Sequence, residues 1–296
     1  MFHQKITAMF NQTTPPESTV APNQGFDYIT AFLQDNLKLS GLYCFGTRQT
    51  CKSNQCSLSG KSSNEQHTHY YLLAFCPEFK ENAVGEVSDV LKTKSEGRYT
   101  ITLLLHKATA VRQLTPHQSY FFHRVMQTGI KLYEHPVVPP AIAFEANPKR
   151  NVESIKAYWH NRNRIAQVFL ESQNQIEGCD TQPIQESMMH LAIENTTLAL
   201  IDTFLGYRPM HFSLGYLFDL CNLFCPLAEE IFPRNTPEEQ KIFNLLSQHL
   251  SKLRFANLKP TDFLHTELLQ RRCYLFLEKA TLLIEAELKR LEETNQ

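Results

Sequence analysis

Residues 188–255 read MMHLAIENTTLALIDTFLGYRPMHFSLGYLFDLCNLFCPLAEEIFPRNTPEEQKIFNLLSQHLSKLRF. Apolar runs broken only by turn residues mark this stretch as a set of packed helices. One such helix runs into Gly206-Tyr207-Arg208-Pro209. Gly206 can take the left-handed geometry that ends a helix, and Pro209 cannot extend one. A second apolar helix is expected from Ser213 to Phe224. Pro233-Arg234-Asn235 then breaks the chain, and a third helix is expected to start at Thr236. Thr236 suits the N-cap, Pro237 the first helical position, and Glu239 the reciprocal arm of a capping box.

Upstream, the helical half begins near Val152. Ile155, Tyr158, Trp159, Ile165, Val168, Phe169 and Ile176 trace one face, with Arg162 and Ser172 interrupting it. Downstream of Pro260, a last helix is expected from Thr261 to Glu292, about 48 Å long at about 1.5 Å per residue. Its apolar positions include Leu264, Leu268, Leu275, Leu282, Leu283, Ala286 and Leu291. That is more than one bundle partner covers. The overhang at Leu283, Ala286 and Leu291 is expected to make a two-fold homodimer through the helical half, with docking on the chain's own first half as the competing outcome.

The first half alternates. A helix is expected at Asp27–Leu39, a short strand at Gly41–Gly46, strands at Tyr70–Phe75 and Tyr99–His106, and helices at Glu86–Leu91 and Pro116–Tyr133. The apolar run within Tyr99–His106 suggests a strand buried on both faces. The polar segment 47–69 is a loop or a frayed hairpin. Residues 1–25 read as a poorly ordered lead-in. The expected organisation is α+β: an α/β domain over 26–135, a proline-rich linker over 136–150, and an all-α bundle over 151–296.

Charge divides the same way. Through residue 150 there are 15 Lys and Arg against 11 Asp and Glu, and afterwards 14 against 19, for a net charge of −1. An acidic helical half is a poor candidate for unaided nucleic-acid binding. No apolar run reaches the roughly 20 residues that span a bilayer. The polar first 25 residues lack a signal-peptide core, so a cytoplasmic location without a membrane partner is expected. The 8 cysteines read as loop or core thiols, Cys51/Cys56 and Cys221/Cys225 included.

The sequence of Gly206-Tyr-Arg-Pro209, an apolar helix, Phe232-Pro-x-x-Thr236-x-Glu238-Glu239 and Lys252-Leu-Arg254-Phe255 resembles a HEPN domain. The likeness is to HEPN domains that follow a nucleotidyltransferase-like domain, of the Bacteroidetes type, and covers about half the chain. The first half resembles the nucleotidyltransferase fold at Leu42-Tyr-Cys-Phe-Gly46-Thr47-Arg48. The resemblance implies a turn at Gly46-Thr47 that offers N–H groups to a triphosphate. It also implies Asp-x-Asp on the next strand and a third carboxylate on a later one, which together clamp two Mg²⁺. Here His69 and Tyr71 stand where the two Asp belong, and the later strand reads Thr100-Ile101-Thr102. A catalytically dead version of the fold is therefore expected, with Gly46, Thr47 and Arg48 as candidate ligand-binding residues.

Many HEPN domains are ribonucleases with Arg-x4–6-His. This chain has Arg208-Pro-Met-His211, with Phe212 where a relative's His belongs, and Arg254 far from His265. Arg208, His211 and Arg254 remain candidates for holding a phosphate or carboxylate. Imidazoles at His67, His69 and His106 are the weak metal candidates, against the plainer reading of polar strand-mouth histidines. No catalytic residue, metal or cofactor is assigned. The expectation is a non-catalytic module that binds a nucleotide, another phosphate-bearing ligand or a protein. A toxin-like HEPN ribonuclease acting on RNA is the alternative, and a nucleotidyltransferase with a rebuilt site is a third reading.

Overall fold

Phe26, Ile29, Phe32, Leu33 and Leu37 recur at helical spacing, and the first four form the inner stripe of α1 (Gln24–Asn36). The computed structural model describes residues 24–55, 62–80, 82–144, 148–178, 181–248 and 263–295. The expected lead-in lies outside the described residues, apart from Gln24 and Gly25, which open α1.

Two long strands follow. β1 (Gly41–Gln55) and β2 (Ser62–Phe75) pair antiparallel from Gly41↔Phe75 to Gln55↔Ser62. Of the two readings of segment 47–69, pairing is the one found: residues 47–55 and 62–69 lie in the two arms of this ladder, and residues 56–61 lie outside the described residues. α2 (Ala83–Lys94) then crosses to β3 (Tyr99–His106), which runs parallel to β2. The short α3 (Ala108–Val111) leads to α4 (Pro116–Thr128) and β4 (Ile130–Glu134). Here the structure corrects the expectation of a helix through Tyr133. The helix stops before Gly129, and Ile130–Glu134 pairs antiparallel with Gly41–Cys44. The sheet order is β3-β2-β1-β4.

α1 and α2 cover one sheet face, where Ile29, Leu33, Val87 and Leu91 meet Leu42, Leu72, Leu103 and Leu105. Each leucine fully buried this way contributes about 1.5–3 kcal/mol. On the other face Tyr71, Leu73, Phe75 and Leu104 are fully buried too, as the apolar text of β3 implied. Gly41 is needed for a close approach, because a Cβ there would stand 2.7 Å from Pro140 Cγ.

The chain forms two units. One runs from α1 to Val111 and includes Thr128–Ile142, and the other joins Arg112–Gln127 to Ala143 and beyond. The expected division at residue 135 thus gives way to an exchange. Most of α4 belongs with the helices, where Phe121 and Phe122 lie 4.7 and 6.0 Å from the Tyr207 ring.

The helical unit contains α5 (Val152–Gln173), α6 (Gln182–Leu205), α7 (Leu214–Cys221), α8 (Leu227–Ile231), α9 (Pro237–Leu246) and α10 (Phe263–Asn295). α6 is its centre: Leu198–Thr203 are all buried, which explains an apolar character on every side. It ends at Gly206 in the left-handed region, φ 66° and ψ 30°. The capping box is also present. Thr236 Oγ1 accepts from the Glu239 N–H at 3.2 Å, and Glu239 Oε2 accepts from the Thr236 N–H at 3.0 Å. Among the described residues no strand follows residue 150. No described helix is long and apolar enough to cross a membrane.

Three helical details differ from the sequence reading. α7 stops at Cys221, before the expected end at Phe224. The buried stripe of α5 is Ile155, Trp159, Ala166, Leu170 and Gln173, while Val168 is exposed. On α10 the expected overhang is covered only in part: Leu291 is buried, Leu283 is half-buried and Ala286 is exposed. The exposed leucines are instead Leu264, Leu268, Leu275 and Leu282.

Candidate functional site

In the α/β unit the chemistry gathers on the sheet face that carries Tyr71 and Leu73. Paired residues share a face, and the register shifts between Cys44 and Gly46. Past that bulge Gly46, Arg48 and Thr50 pair with Tyr71, His69 and His67, whereas Thr47 pairs with Tyr70. Gly46 and Thr47 therefore form no turn; they lie inside a continuous ladder. Thr47 and Arg48 also point to opposite faces, as successive strand residues must. The turn implied by the nucleotidyltransferase resemblance is absent at this place.

The face is bound by a chain of side chains. Thr50 Oγ1 stands 3.2 Å from His67 Nδ1, and His67 Nε2 stands 2.8 Å from Thr100 Oγ1. Thr100 Oγ1 is also 2.7 Å from His69 Nδ1, whose Nε2 is 2.8 Å from Thr102 Oγ1. A neutral imidazole donates at one nitrogen and accepts at the other, and a hydroxyl does both. The ladder is therefore satisfied with either sense of donation. His69 and Thr102 are buried, and the His69 ring meets Tyr71 edge-on at 4.8 Å.

This geometry decides the metal candidates. All four ring nitrogens of His67 and His69 face threonine hydroxyls, so the lone pairs a metal needs are engaged. His106 pairs with Phe75, six residues along β2 from His69, or about 20 Å away at about 3.3 Å per residue. The three histidines do not converge. Among the described residues no group of three or more His, Cys, Asp or Glu is placed to hold a metal ion. Burial lowers the pKa of His106 to about 4, holding the ring neutral.

In the helical unit a second cluster forms at the C-terminal end of α6. The Gly206 turn returns the chain so that Arg208 Nε donates to Asp202 Oδ1 at 3.0 Å. The Arg208 guanidinium lies 4.1 Å from the centre of the Tyr158 ring. Arg162, one turn along α5, lies 4.8 Å from the same ring and donates to Asn195 Oδ1 at 2.9 Å. Arg150 is buried. Its Nη2 donates to the Asp202 carbonyl at 2.7 Å, and its guanidinium lies 5.5 Å from the Tyr120 ring. Burial pulls the Arg150 pKa down. Burial pushes the Tyr158 phenol up.

His211 does not join this cluster through any of these bonds. Its Nε2 stands 3.1 Å from Ser213 Oγ, and its ring meets Tyr216 edge-on at 4.9 Å. Burial lowers its pKa. Phe212 is exposed, and Arg254 lies outside the described residues. Sequence reasoning found Arg208 but missed Arg150, Tyr158, Asn195 and Asp202 as its companions. The available signal was Arg162 interrupting an otherwise apolar face. No protein-family model matches the chain, and no curated protein or solved structure matches it either.

Proposed function

We propose that this chain is a non-catalytic binding module, a degenerate nucleotidyltransferase-like α/β unit joined to a HEPN-like bundle, that takes a nucleotide-like ligand. One observation carries the reading. At the positions where the resemblance asks for metal-binding carboxylates stand His69 and Tyr71, with Thr100 and Thr102 opposite them, and the His69 and threonine polar atoms are spent on a hydrogen-bonded ladder. A two-metal transfer site needs anionic oxygens there to hold Mg²⁺ between attacking and leaving groups. Threonine hydroxyls and imidazoles are poor substitutes for hard, anionic oxygen ligands.

The test is incubation with Mg²⁺, labelled nucleoside triphosphates and candidate acceptors, alongside thermal shift with the same nucleotides. The expected result is no transfer and a nucleotide-dependent rise in Tm. Mg²⁺-dependent transfer would overturn the reading. The ribonuclease alternative finds less support, because Arg208 and His211 are engaged by different partners. RNA cleavage abolished by both Arg208→Ala and His211→Ala would promote it. We further propose a homodimer through α10, whose exposed Leu268, Leu275 and Leu282 repeat at seven-residue intervals.

A further inference from the structure

Counting charges around Asp202 and the Tyr158 ring leaves a surplus. Arg150 and Arg208 contact Asp202, and Arg162 shares the Tyr158 ring with Arg208, yet only Arg208 is hydrogen-bonded to the carboxylate. Arg162 reaches the neutral amide of Asn195, and Arg150 reaches a main-chain carbonyl. A second carboxylate that acts on Arg150, Glu287, is held through both oxygens by Arg290, at 2.7 and 2.6 Å. Buried or half-buried guanidiniums without matching anions are costly, and proteins keep such arrangements where a counter-charge is supplied.

The side chains also present a surface. Arg208 is 40% exposed at its side chain, Arg162 is half-buried, and Tyr158 backs them both. Their guanidiniums lie at most about 9 Å apart, because both lie over one ring. A single tetrahedral oxyanion can bridge that gap with charge-assisted bonds of about 2.7–2.9 Å. Arg150, held at the Asp202 carbonyl, is 8% exposed, has an Nε without a hydrogen-bond partner, and adds buried positive charge beside Asp202.

We propose that Arg162 and Arg208, backed by Arg150 and the Tyr158 ring, bind the phosphoryl oxyanion of a small molecule, either free phosphate or a phosphomonoester. The site deepens the nucleotide-binding reading, on which it rests for the nucleotide as ligand, by naming the group it would hold. Guanidinium forks suit such a ligand, because they match planar and tetrahedral oxyanions bidentately, remain charged, and stack on the aromatic ring that fixes them.

The experiment titrates the full chain with inorganic phosphate, AMP and adenosine by calorimetry, at ionic strength matched with chloride. Wild type is expected to bind phosphate and AMP but not adenosine. Arg162→Gln and Arg208→Gln are each expected to weaken phosphate at least about tenfold, and Arg208→Lys is expected not to restore it. No phosphate binding to wild type, a result that needs no variant, overturns the site. So does unchanged phosphate affinity in both glutamine variants. Phosphate binding lost in those variants, with AMP no tighter than phosphate and no response to any nucleoside triphosphate, supports the oxyanion site while overturning the nucleotide reading.

Discussion

Arg208 and Asp202 are six residues apart and form an ion pair, Nε to Oδ1 at 3.0 Å, that no uninterrupted α-helix allows. Six residues of helix turn through about 600°, which puts the two side chains on different sides. The pair exists because α6 ends in left-handed geometry at Gly206 and the chain doubles back. The same turn lets Arg150 and Tyr120 come close, since a Cβ on Gly206 would stand 3.4 Å from Arg150 Nε and 3.1 Å from the Tyr120 ring.

Gly206→Ala is therefore expected to cost about 1–2 kcal/mol from the left-handed backbone alone, with a further loss from crowding Tyr120. Urea denaturation would read the stability. Phosphate affinity should fall with it, because Arg208 loses its anchor.

Asp202→Asn separates stability from binding. Asp202 is 2% exposed, so losing its charge-assisted bond is expected to destabilise by about 1–3 kcal/mol, toward the low end because Arg208 is partly solvated. The same change removes a negative charge beside the oxyanion site, so phosphate should bind more tightly. Weaker phosphate binding in a folded Asp202→Asn protein would contradict this electrostatic account.

Thr236→Ala removes one arm of the α9 capping box and is expected to cost about 1 kcal/mol. The Glu239 carboxylate would still accept from the Asn235 and Thr236 N–H groups, so the loss should stay below that of the double variant with Glu239→Ala. Equal urea midpoints for all these proteins would count against the cap.

His106 sets a pH dependence. Its folded pKa is lowered to about 4 from an ordinary 6.5. Above the ordinary value both folded and unfolded chains carry a neutral ring. Below it the unfolded chain takes up the proton first, so stability is lost as the pH falls from 6.5 toward 4. The full loss from this group is about 3 kcal/mol at about 1.36 kcal/mol per pKa unit. His106→Gln should flatten that part of the curve when urea midpoints are compared between neutral and acid pH.

Leu275→Glu places a charge in the middle of the exposed leucine row on α10. Light scattering is expected to give a dimer for wild type and a 34.2 kDa monomer for the variant. A cut after Lys279 removes Leu282 of that row together with Leu283, Ala286 and Leu291, and tests whether the end of the helix is needed. A monomeric wild type at all concentrations would dispose of the dimer altogether.

Local chemistry was legible at Gly206 and at Thr236–Glu239. Gly206, Thr236, Pro237 and Glu239 act on backbone within four residues of themselves, and each does what its type dictates. The apolar run of β3 likewise announced a strand buried on both sides. Two other local readings were left open or overturned for a reason of context. Residues 47–55 are polar, which left loop and frayed hairpin equally open, but backbone pairing with β2 makes a strand without needing apolar side chains. Gly129–Tyr133 continued a helical pattern, yet the open edge of β1 offered hydrogen bonds that drew Ile130–Glu134 into the sheet.

The candidate sites belong to tertiary structure. Thr100 joins His67 and His69 only because β3 lies parallel to β2 at one register, and a shift of one residue would turn the threonines to the other face. Arg150, Arg162 and Arg208 come from three places in the chain; Arg162 and Arg208 share the Tyr158 ring, and Arg150 and Arg208 share Asp202. Net charge, a sum over a whole half of the sequence, recorded the half that holds Arg162 and Arg208 as acidic and gave no sign of a local surplus of guanidiniums. Capping and strand formation depend on neighbours along the chain, which a sequence states directly. Charge clusters depend on neighbours in space, which the packing of α5 against α6 decides.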